Sequence, residues 1–431
     1  MSQLVVGETA IQVSPSEKAR ALTGSWASWL FDAMDAGIFS FVLTAVAHTF
    51  KTNLTGVAIV VAWFLFATGV GGYVFGNISD RIGRKKTLWI SVLIYGLGTL
   101  LCGFSQNIIE LNVFRVMIGL AVGGLWSAAA SLISEVWRPE TRAQALAFMQ
   151  TGWSAGQLLA AIFAWSILNV HNPESWRLLF IYASIPAWIT FLFIVFFVKE
   201  SPVWLQNRGY VRQHSGSQSL LAIFRSDLLR TTLMALLISV LGMIGYWIIL
   251  TFVPSYLQST LKIRIDQTPV FMVWTAIGAI AGYIVYGYMA RAIGHRKTFA
   301  IFFLGMTVMV PLFTYEVSHM PLTHGHLLLS GHNIAFLGVF SALLGFFTGY
   351  FSGFGAWYAE LFPTSVRSTA SGFCFNFGRV GGIIGIIGAP ILIPKIGFTW
   401  FITLAAISYF AAAIAVFTIR ETQGQELTSG N

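Results

Sequence analysis

Charged residues are scarce in this chain of 431 residues. Asp, Glu, Lys and Arg make up only 10% of it, whereas 56% is hydrophobic and 15% is aromatic. Because soluble domains carry about 25% charged residues, this composition excludes an ordinary soluble protein. The two cysteines, Cys102 and Cys374, lie in apolar stretches, which excludes a disulfide framework. We find no nucleotide-binding loop, nucleophile triad or metal-ligand cluster, so we expect neither an enzyme nor a cofactor.

Long apolar stretches account for most of the chain, whose mean hydropathy is +0.75. A helix needs about 20 mostly apolar residues to cross the ~30 Å hydrocarbon core of a bilayer. The sequence contains twelve such stretches and not the alternating pattern of a membrane β-barrel. It therefore predicts an all-α membrane protein with twelve transmembrane helices, here called spans 1 to 12. Their centres lie near residues 35, 66, 94, 121, 156, 188, 243, 280, 306, 349, 382 and 406.

The basic residues indicate how the chain is oriented. Most of the 25 Lys and Arg residues fall on one side of the membrane if both termini are cytoplasmic. By the positive-inside rule, we expect a multi-pass protein of the cell inner membrane with both termini in the cytoplasm. The net charge of +9 is spread over many turns, so we expect no nucleic-acid partner. Residues 1–23 do not match a cleaved signal peptide, so we expect the first span to be retained.

Two pairs of similar motifs divide the chain into halves. The motif GNISDRIGRKKT at 76–87, between spans 2 and 3, returns as GYMARAIGHRKT at 287–298, between spans 8 and 9. Likewise, SEVWRPETR at 134–142 returns as AELFPTSVR at 359–367. This duplication predicts two pseudo-symmetric six-helix bundles around a central cavity. The predicted units are a cytoplasmic segment at 1–23, bundles at 24–198 and 228–419, a cytoplasmic linker at 199–227 and a tail at 420–431.

These motifs resemble the signatures of the major facilitator superfamily. The glycine, aspartate and basic cluster after span 2, its copy after span 8, and KESPVWL at 199–205 all fit that family. The segment WLFDAMDAGIFSFVL at 29–43 is similar to the first span of metabolite/proton symporters, including niacin, sialate and aromatic-acid carriers. The resemblance implies alternating access, in which the two bundles open a central cavity lined by spans 1, 4, 7 and 10 to either side.

Charged residues at the turns after spans 2, 4 and 10 are candidates for a cytoplasmic gate. Exposed ion pairs stabilise by only about 0 to 1 kcal/mol, so a few of them can latch one conformation without trapping it. The alternative is that these charges only orient the chain. Arg291 stands where the first copy has Asp80, so we expect a weaker gate in the second half. The candidate gating residues are Asp80, Arg84, Glu135, Arg142, Glu360 and Arg367.

Four charged residues lie inside predicted spans: Asp32, Asp35, Arg115 and Arg379. Each costs ~2.5 to 3.5 kcal/mol at mid-membrane, so they should face a wet cavity or one another. Asp32 and Asp35 share a face of span 1, and burial with like charge favours protonation of one of them, as a proton carrier requires. Asp35 is the first choice because it lies nearer the span centre, and the resemblance implies that Arg115 contacts it. Alternatively, the aspartates pair with neighbouring helices and Arg115 extends to the membrane interface.

Arg379 is the main candidate for substrate binding. A guanidinium near the middle of span 11 offers a carboxylate two parallel hydrogen bonds, and Asn376 lies one turn earlier on the same face. The alternative for Arg379 is a structural pair with an unidentified acid. Further residues at helical spacing either line the cavity or pack in the core. They are Trp126 on span 4, Gln150, Trp153 and Gln157 on span 5, Tyr246 and Trp247 on span 7, and the stripe Phe346, Tyr350, Gly353 and Trp357 on span 10.

Together these features predict a secondary transporter that takes up a small organic anion, a carboxylate with apolar or aromatic character, in symport with protons. Export of lipophilic or cationic compounds and a sugar or polyol permease are the alternatives, although two intramembrane arginines disfavour cations. The expected partners are the substrate, protons and the lipid bilayer, and we expect a monomer without a bound metal. The histidines of the loop at 315–332 receive no role.

Overall fold

The computed structural model describes residues 2–6, 9–52, 54–168, 172, 174–206, 220–261, 269–320 and 331–423. Within these residues the chain is helical apart from its turns and one hairpin, so the predicted all-α membrane fold is confirmed. The hairpin joins strands Ser2–Val6 and Thr9–Val13 in antiparallel register. This hairpin was not predicted, although its Val, Ile and Thr residues favour strands.

Spans 1 to 9 are single helices in the described part of the chain. Span 1 begins at a capping box in which the Ser14 hydroxyl accepts from the Glu17 amide at 3.3 Å, and the Glu17 carboxylate accepts from the Ser14 amide at 3.2 Å. The nine helices are Pro15–Thr49, Leu54–Ile82, Arg84–Phe104, Ile108–Val136, Pro139–Ile167, Ser175–Phe197, Ser226–Leu261, Pro269–Ile293 and His295–His319.

Spans 10 to 12 are interrupted. The pieces of span 10 are Gly331–Phe347, a 3₁₀ turn at Thr348–Tyr350, and Phe351–Leu361. The pieces of spans 11 and 12 are Arg367–Phe377, Arg379–Thr403, Ala405–Ala415 and a 3₁₀ turn at Val416–Thr418. Gly397, at φ +78°, separates span 11 from span 12 inside the second of these helices. Only glycine adopts this backbone conformation without strain.

Two of the twelve spans are less apolar than the others require for detection. Length and hydropathy identify ten spans among the described residues when the bent pair Ile391–Thr403 and Ala405–Thr418 is one span. The remaining two, spans 1 and 5, have 35 and 29 residues, which is enough to cross a bilayer. Span 1 carries both intramembrane aspartates, and span 5 carries Gln150 and Gln157. These two helices therefore bring polar side chains to membrane depth.

A matching turn in each half supports the predicted duplication. Gly83 and Gly294, just before spans 3 and 9, have φ values of +111° and +89°. Glu200 accepts hydrogen bonds from the first two amides of span 3 at 2.8 and 2.9 Å, and Glu421 does the same for span 9 at 3.0 and 2.9 Å. A Cβ on these glycines would lie 2.2 and 2.7 Å from the glutamate oxygens, so both turns require glycine. We call the end of the molecule that holds these turns the basic face, and the other end the opposite face.

Small residues bring the two bundles together near the basic face. A Cβ on Gly76 of span 2 would lie 2.5 Å from the carbonyl oxygen of Ser368 on span 11. A Cβ on Gly287 of span 8 would lie 2.7 Å from the Cβ of Ala147 on span 5. Close contact of these helix pairs leaves the space between the bundles nearer the middle of the membrane.

Candidate functional site

A chamber of about 300 Å³ lies between the two bundles, close to the middle of the spans. Its walls are mainly aromatic, with Gln150 as an amide and Arg379 as the charged side chain. The lining residues are Trp29, Gln150, Trp153, Met243, Tyr246, Trp247, Tyr283, Phe351, Phe375 and Arg379. Such a chamber suits a small, flat solute that carries a negative charge.

A second cavity, of about 1240 Å³, lies on the opposite-face side of the chamber, and we call it the vestibule. It is lined by the halves of spans 1, 5, 7, 8 and 10 that are remote from the basic face. Trp153, Tyr246 and Tyr283 line both cavities. Trp153 Nε1 donates a hydrogen bond to the Tyr246 hydroxyl at 3.0 Å. This pair therefore forms part of the wall between the vestibule and the chamber.

Arg379 and Asp32 are two buried charges without hydrogen bonds to the described part of the chain. Arg379 is 4% exposed, and its guanidinium lies 6.0 Å from the Trp153 ring. Asp32 is 1% exposed, and neither of its carboxylate oxygens has a partner among the described residues. The two side chains interact electrostatically. Because buried polar groups are costly when unsatisfied, this pair leaves hydrogen-bonding capacity for a bound group.

Asp35, one turn further along span 1, is held by its neighbours. Arg115 Nη1 lies 2.5 Å from one carboxylate oxygen, and the Thr99 hydroxyl donates to the other at 2.9 Å. The Arg115 guanidinium also lies over the rings of Phe39 and Phe64, at 4.5 and 4.4 Å. The expected contact between Arg115 and Asp35 is present, and Arg115 is buried rather than extended to the interface. A role of this pair in proton coupling stays a prediction.

The candidate gating residues meet in a buried network at the basic face. Arg84 binds Glu135 through two hydrogen bonds of 3.0 and 2.9 Å and lies 3.0 Å from Asp80. Arg367, from the other bundle, lies 2.7 Å from Glu135. Asp80 accepts hydrogen bonds from two amides at the start of span 11, at 3.1 and 2.9 Å. These contacts join the first bundle to the second.

A second group of charges lies beside this network. Arg142 of the first bundle lies 3.0 Å from Glu360 of the second. His295 Nε2 lies 3.3 Å from Glu360, and the Thr422 hydroxyl donates to Glu360 at 2.8 Å. Glu135 and Glu360 occupy equivalent places in the two halves. Each bundle thus extends an arginine to the glutamate of the other.

The expectation that these ion pairs are exposed and weak is wrong. The four side chains joined by the two contacts between bundles are at most 2% exposed. Close packing of the bundles at the basic face removes water from the turns, which the sequence alone did not show. A buried pair has a larger desolvation cost than an exposed one, and it is strongly destabilised when one partner is removed.

A family model described as Major Facilitator Superfamily matches this sequence over residues 26–316 and 235–430. The chain belongs to the Major Facilitator Superfamily. This membership confirms the resemblance seen in the motifs, and it makes the chain a multi-pass membrane transporter and not an enzyme.

Curated relatives are similar to this facilitator over nearly their whole length. A probable 4-methylmuconolactone transporter of Cupriavidus pinatubonensis is 29% identical, and the alignment covers 95% of this chain and 92% of that one. A cis,cis-muconate transport protein of Acinetobacter baylyi is 29% identical, with 91% and 92% covered. A niacin transporter of Acinetobacter baylyi is 25% identical, with 93% of each chain covered.

Solved structures share the facilitator's fold. The proton:xylose symporter XylE has a TM-score of 0.79 at 18% identity, covering 96% of this chain and 98% of that one. The human organic anion transporter MFSD10 has a TM-score of 0.72 at 14% identity, covering 94% and 100%. At such identities the likeness concerns the fold alone, and it agrees with twelve helices in two bundles.

Five of the predicted binding residues line the facilitator's chamber: Gln150, Trp153, Tyr246, Trp247 and Arg379. Gln157 lies on the same face of span 5 but one turn or more beyond Trp153, and it lines the vestibule instead. Its amide nitrogen donates to the backbone of span 1 at 3.1 Å. Helical spacing on spans 5 and 7 therefore selected residues that do reach a cavity.

The predicted stripe on span 10 faces span 9 rather than the chamber. The Tyr350 ring lies 4.5 Å from Phe303, and the Trp357 ring lies 5.2 Å from Phe299. For these residues the packing alternative is correct, because helical spacing shows which side chains share a face but not what that face contacts. Phe351, the residue after the 3₁₀ turn, lines the chamber.

Asn376 does not accompany Arg379 at the chamber. Its amide nitrogen donates to the carbonyl oxygens of Gly123 and Gly372 at 3.2 and 3.1 Å, where spans 4 and 11 cross. The prediction that Asn376 and Arg379 share a face assumed a continuous helix. The break at Gly378 separates the two side chains, so the geometry gives Asn376 a packing contact instead of a place in the lining.

Trp126 also lies outside the lining, stacked on Phe375 at 3.8 Å between ring centroids. The lining residues that the sequence analysis missed are Trp29, Met243, Tyr283, Phe351 and Phe375. Several are neighbours of residues that it chose: Phe351 follows Tyr350, and Trp29 precedes Asp32 by about one helical turn. The signal in these cases was present but displaced by one position or one turn.

Some predictions fall outside the described residues. They concern linker residues 207–219, the loop residues 321–330 with His324 and His326, and the tail from 424.

Proposed function

We propose that this facilitator takes up a small organic anion in symport with protons, with an aromatic or conjugated carboxylate as its substrate. The observation that carries the proposal is Arg379, a buried cation in an aromatic chamber with no hydrogen bond to a described residue. A guanidinium binds a carboxylate through two parallel hydrogen bonds, and flat rings suit an unsaturated skeleton. Gln150 supplies a further hydrogen bond to a polar group of the substrate.

The size of the chamber and the names of the relatives agree with this substrate class. A chamber of about 300 Å³ suits a single ring or a short chain rather than a larger solute. Relatives over nearly the whole chain are named for cis,cis-muconate and for niacin, and both compounds are unsaturated carboxylic acids.

The alternative substrates fit the chamber less well. A cation would meet Arg379, the charged residue of the lining, without a carboxylate to bind it. A sugar or polyol needs many hydrogen-bonding partners, whereas the lining is mostly rings and offers Gln150 as its amide. The solved xylose symporter is similar at a level that concerns the fold alone.

The proposed cycle alternates access between the two faces. We assign the basic face to the cytoplasm by the positive-inside rule, so this conformation is closed to the cytoplasm and has its vestibule towards the outside. The bundles at 24–198 and 228–419 rock as units, and the buried network opens as they separate. A proton carried on span 1, at Asp35 or Asp32, neutralises the loaded site and lowers the cost of closing it.

Uptake into proteoliposomes tests this function. The panel contains nicotinate, benzoate and cis,cis-muconate, with xylose and tetraphenylphosphonium as a neutral and a cationic comparison. We expect an inward proton gradient to drive accumulation of at least one carboxylate and of neither comparison compound. Accumulation of xylose or tetraphenylphosphonium in preference to every carboxylate would overturn the proposal.

Variants of Arg379 sharpen the test. Loss of a charge-assisted hydrogen-bonded pair costs about 3 kcal/mol, so we expect Arg379→Gln to lower uptake of the carboxylate about 100-fold. Arg379→Lys should recover only part of this loss, because an ammonium lacks the planar fork. Lys395→Gln is the matched control, since Lys395 is exposed on the same helix. Uptake by Arg379→Gln at the level of Lys395→Gln would remove Arg379 from the site.

A further inference from the structure

The two aspartates of span 1 differ in how their carboxylates are satisfied. Both oxygens of Asp35 have partners, Arg115 at 2.5 Å and Thr99 at 2.9 Å. Both oxygens of Asp32 are buried and have no partner among the described residues. An ionised carboxylate away from water requires a counter-charge or hydrogen bonds. Asp35 has both, and Asp32 depends on charges that it does not touch.

The groups that face Asp32 come from three neighbouring spans and from its own. Arg379 of span 11 interacts with it most strongly, followed by Asp35 of span 1 and Arg115 of span 4. Tyr95 of span 3 also interacts with it, and the Tyr95 hydroxyl has no hydrogen-bond partner among the described residues. Arg115 is already bound to Asp35. Arg379 is therefore the free counter-charge of Asp32.

Arg379 also lines the chamber, so Asp32 and a bound anion draw on the same guanidinium. With the chamber empty, one buried carboxylate faces one cation. With a carboxylate substrate on Arg379, two carboxylates share that cation, and one negative charge is left without compensation in a medium where such a charge is costly. Protonation of Asp32 removes the excess charge.

We propose that Asp32, rather than Asp35, takes up the coupling proton, and that the substrate causes this by engaging Arg379. The inference rests on the proposed function. In the forward step, one carboxylate anion and one proton enter from the vestibule side, and the Asp32 carboxylate becomes a carboxylic acid. When the substrate leaves at the basic face, Arg379 again faces Asp32, and the proton dissociates to the same side. Asp35 with Arg115 is a positioning pair that keeps the middle of span 1 in place.

The test is proton uptake on binding, measured by titration calorimetry in buffers of different ionisation enthalpy. The probe is whichever of nicotinate, benzoate and cis,cis-muconate the wild-type protein transports fastest. We expect about one proton per bound carboxylate for the wild type and none for Asp32→Asn. Asp32→Asn should also bind the probe about tenfold more tightly, because its amide no longer competes for Arg379. A residue with only a structural role would not tighten binding.

The matched control neutralises the other pair. The double variant Asp35→Asn with Arg115→Gln leaves neither a buried charge nor a charge imbalance, and we expect it to keep proton uptake on binding. Proton uptake that persists in Asp32→Asn, or that disappears in the double variant while the probe still binds, overturns the assignment to Asp32. Binding by the wild type without any proton uptake overturns the coupling in the proposed function itself.

Discussion

The basic face and the central chamber both bury charged side chains, but only the basic face satisfies them with protein partners. At the basic face, Glu135 is bound by Arg84 and by Arg367. In the chamber region, Arg379 and Asp32 have no hydrogen bond to a described residue. Both arrangements carry the desolvation cost of ions in a low-dielectric interior. Paired ions favour one conformation, whereas unsatisfied ions are available to a solute.

The same comparison can be made within the basic face, because its two halves are copies with different residues. Arg84 binds Glu135 in the first half, and His295 lies beside Glu360 at the equivalent place in the second. Asp80 is replaced by Arg291, which reaches only the Gln144 amide at 3.5 Å. The first half is held by permanent charges, and the second includes a side chain that can lose its charge.

Glu135→Gln should break the comparison with the largest effect. It leaves two buried arginines with reduced compensation, which costs roughly 3 to 5 kcal/mol in the closed basic face. We expect the resting protein to shift towards opening at that face. A reporter cysteine at Ser131, which is buried between the bundles here, should then become reactive to a water-soluble maleimide. Glu140→Gln is the control, since Glu140 is exposed on the following turn. Equal labelling in both variants would show that the network does not hold the face closed.

Glu360→Gln should have a smaller effect on the same reporter. Its loss leaves Arg142 as the one permanently charged partner, because His295 can become neutral. We expect roughly half of the free-energy shift seen with Glu135→Gln. A shift as large as that of Glu135→Gln would mean that the two halves contribute equally, in spite of their different residues.

Thr99→Val should have the smallest effect. It removes one hydrogen bond to Asp35, worth about 1 kcal/mol, while Arg115 stays bound. We expect a melting temperature lower by a few degrees, with the affinity for the carboxylate probe unchanged, because the chamber does not include Thr99. Thr99→Ser keeps the hydroxyl and should melt like the wild type. A changed affinity in Thr99→Val would connect Asp35 to the chamber more directly than we propose.

Much of the architecture could be predicted because its physical signals are local. Apolar stretches marked the spans, the repeated motifs marked the halves, and the cost of burying charge drew attention to Asp32, Asp35 and Arg379. The lining of the chamber could be predicted only in part. On span 5, continuous helical spacing led correctly to Gln150 and Trp153.

Where a helix is interrupted, extrapolation from spacing failed. The break at Gly378 moved Asn376 away from Arg379, and the stripe through Tyr350 faces another helix. Burial of the gate could not be predicted either, because polar turns look the same in sequence whether water or a second bundle covers them. These features depend on contacts between distant segments.

Asp80 belongs to the first bundle, yet its carboxylate satisfies the free amides at the start of span 11 in the second. The preceding residue, Val366, offers no side chain for that purpose. Separation of the bundles at this end therefore uncaps a helix as well as parting two surfaces, and four backbone donors at its beginning must then find water. The first turn of span 11 should unwind and rewind once in every transport cycle, so local helix stability sets part of the turnover rate.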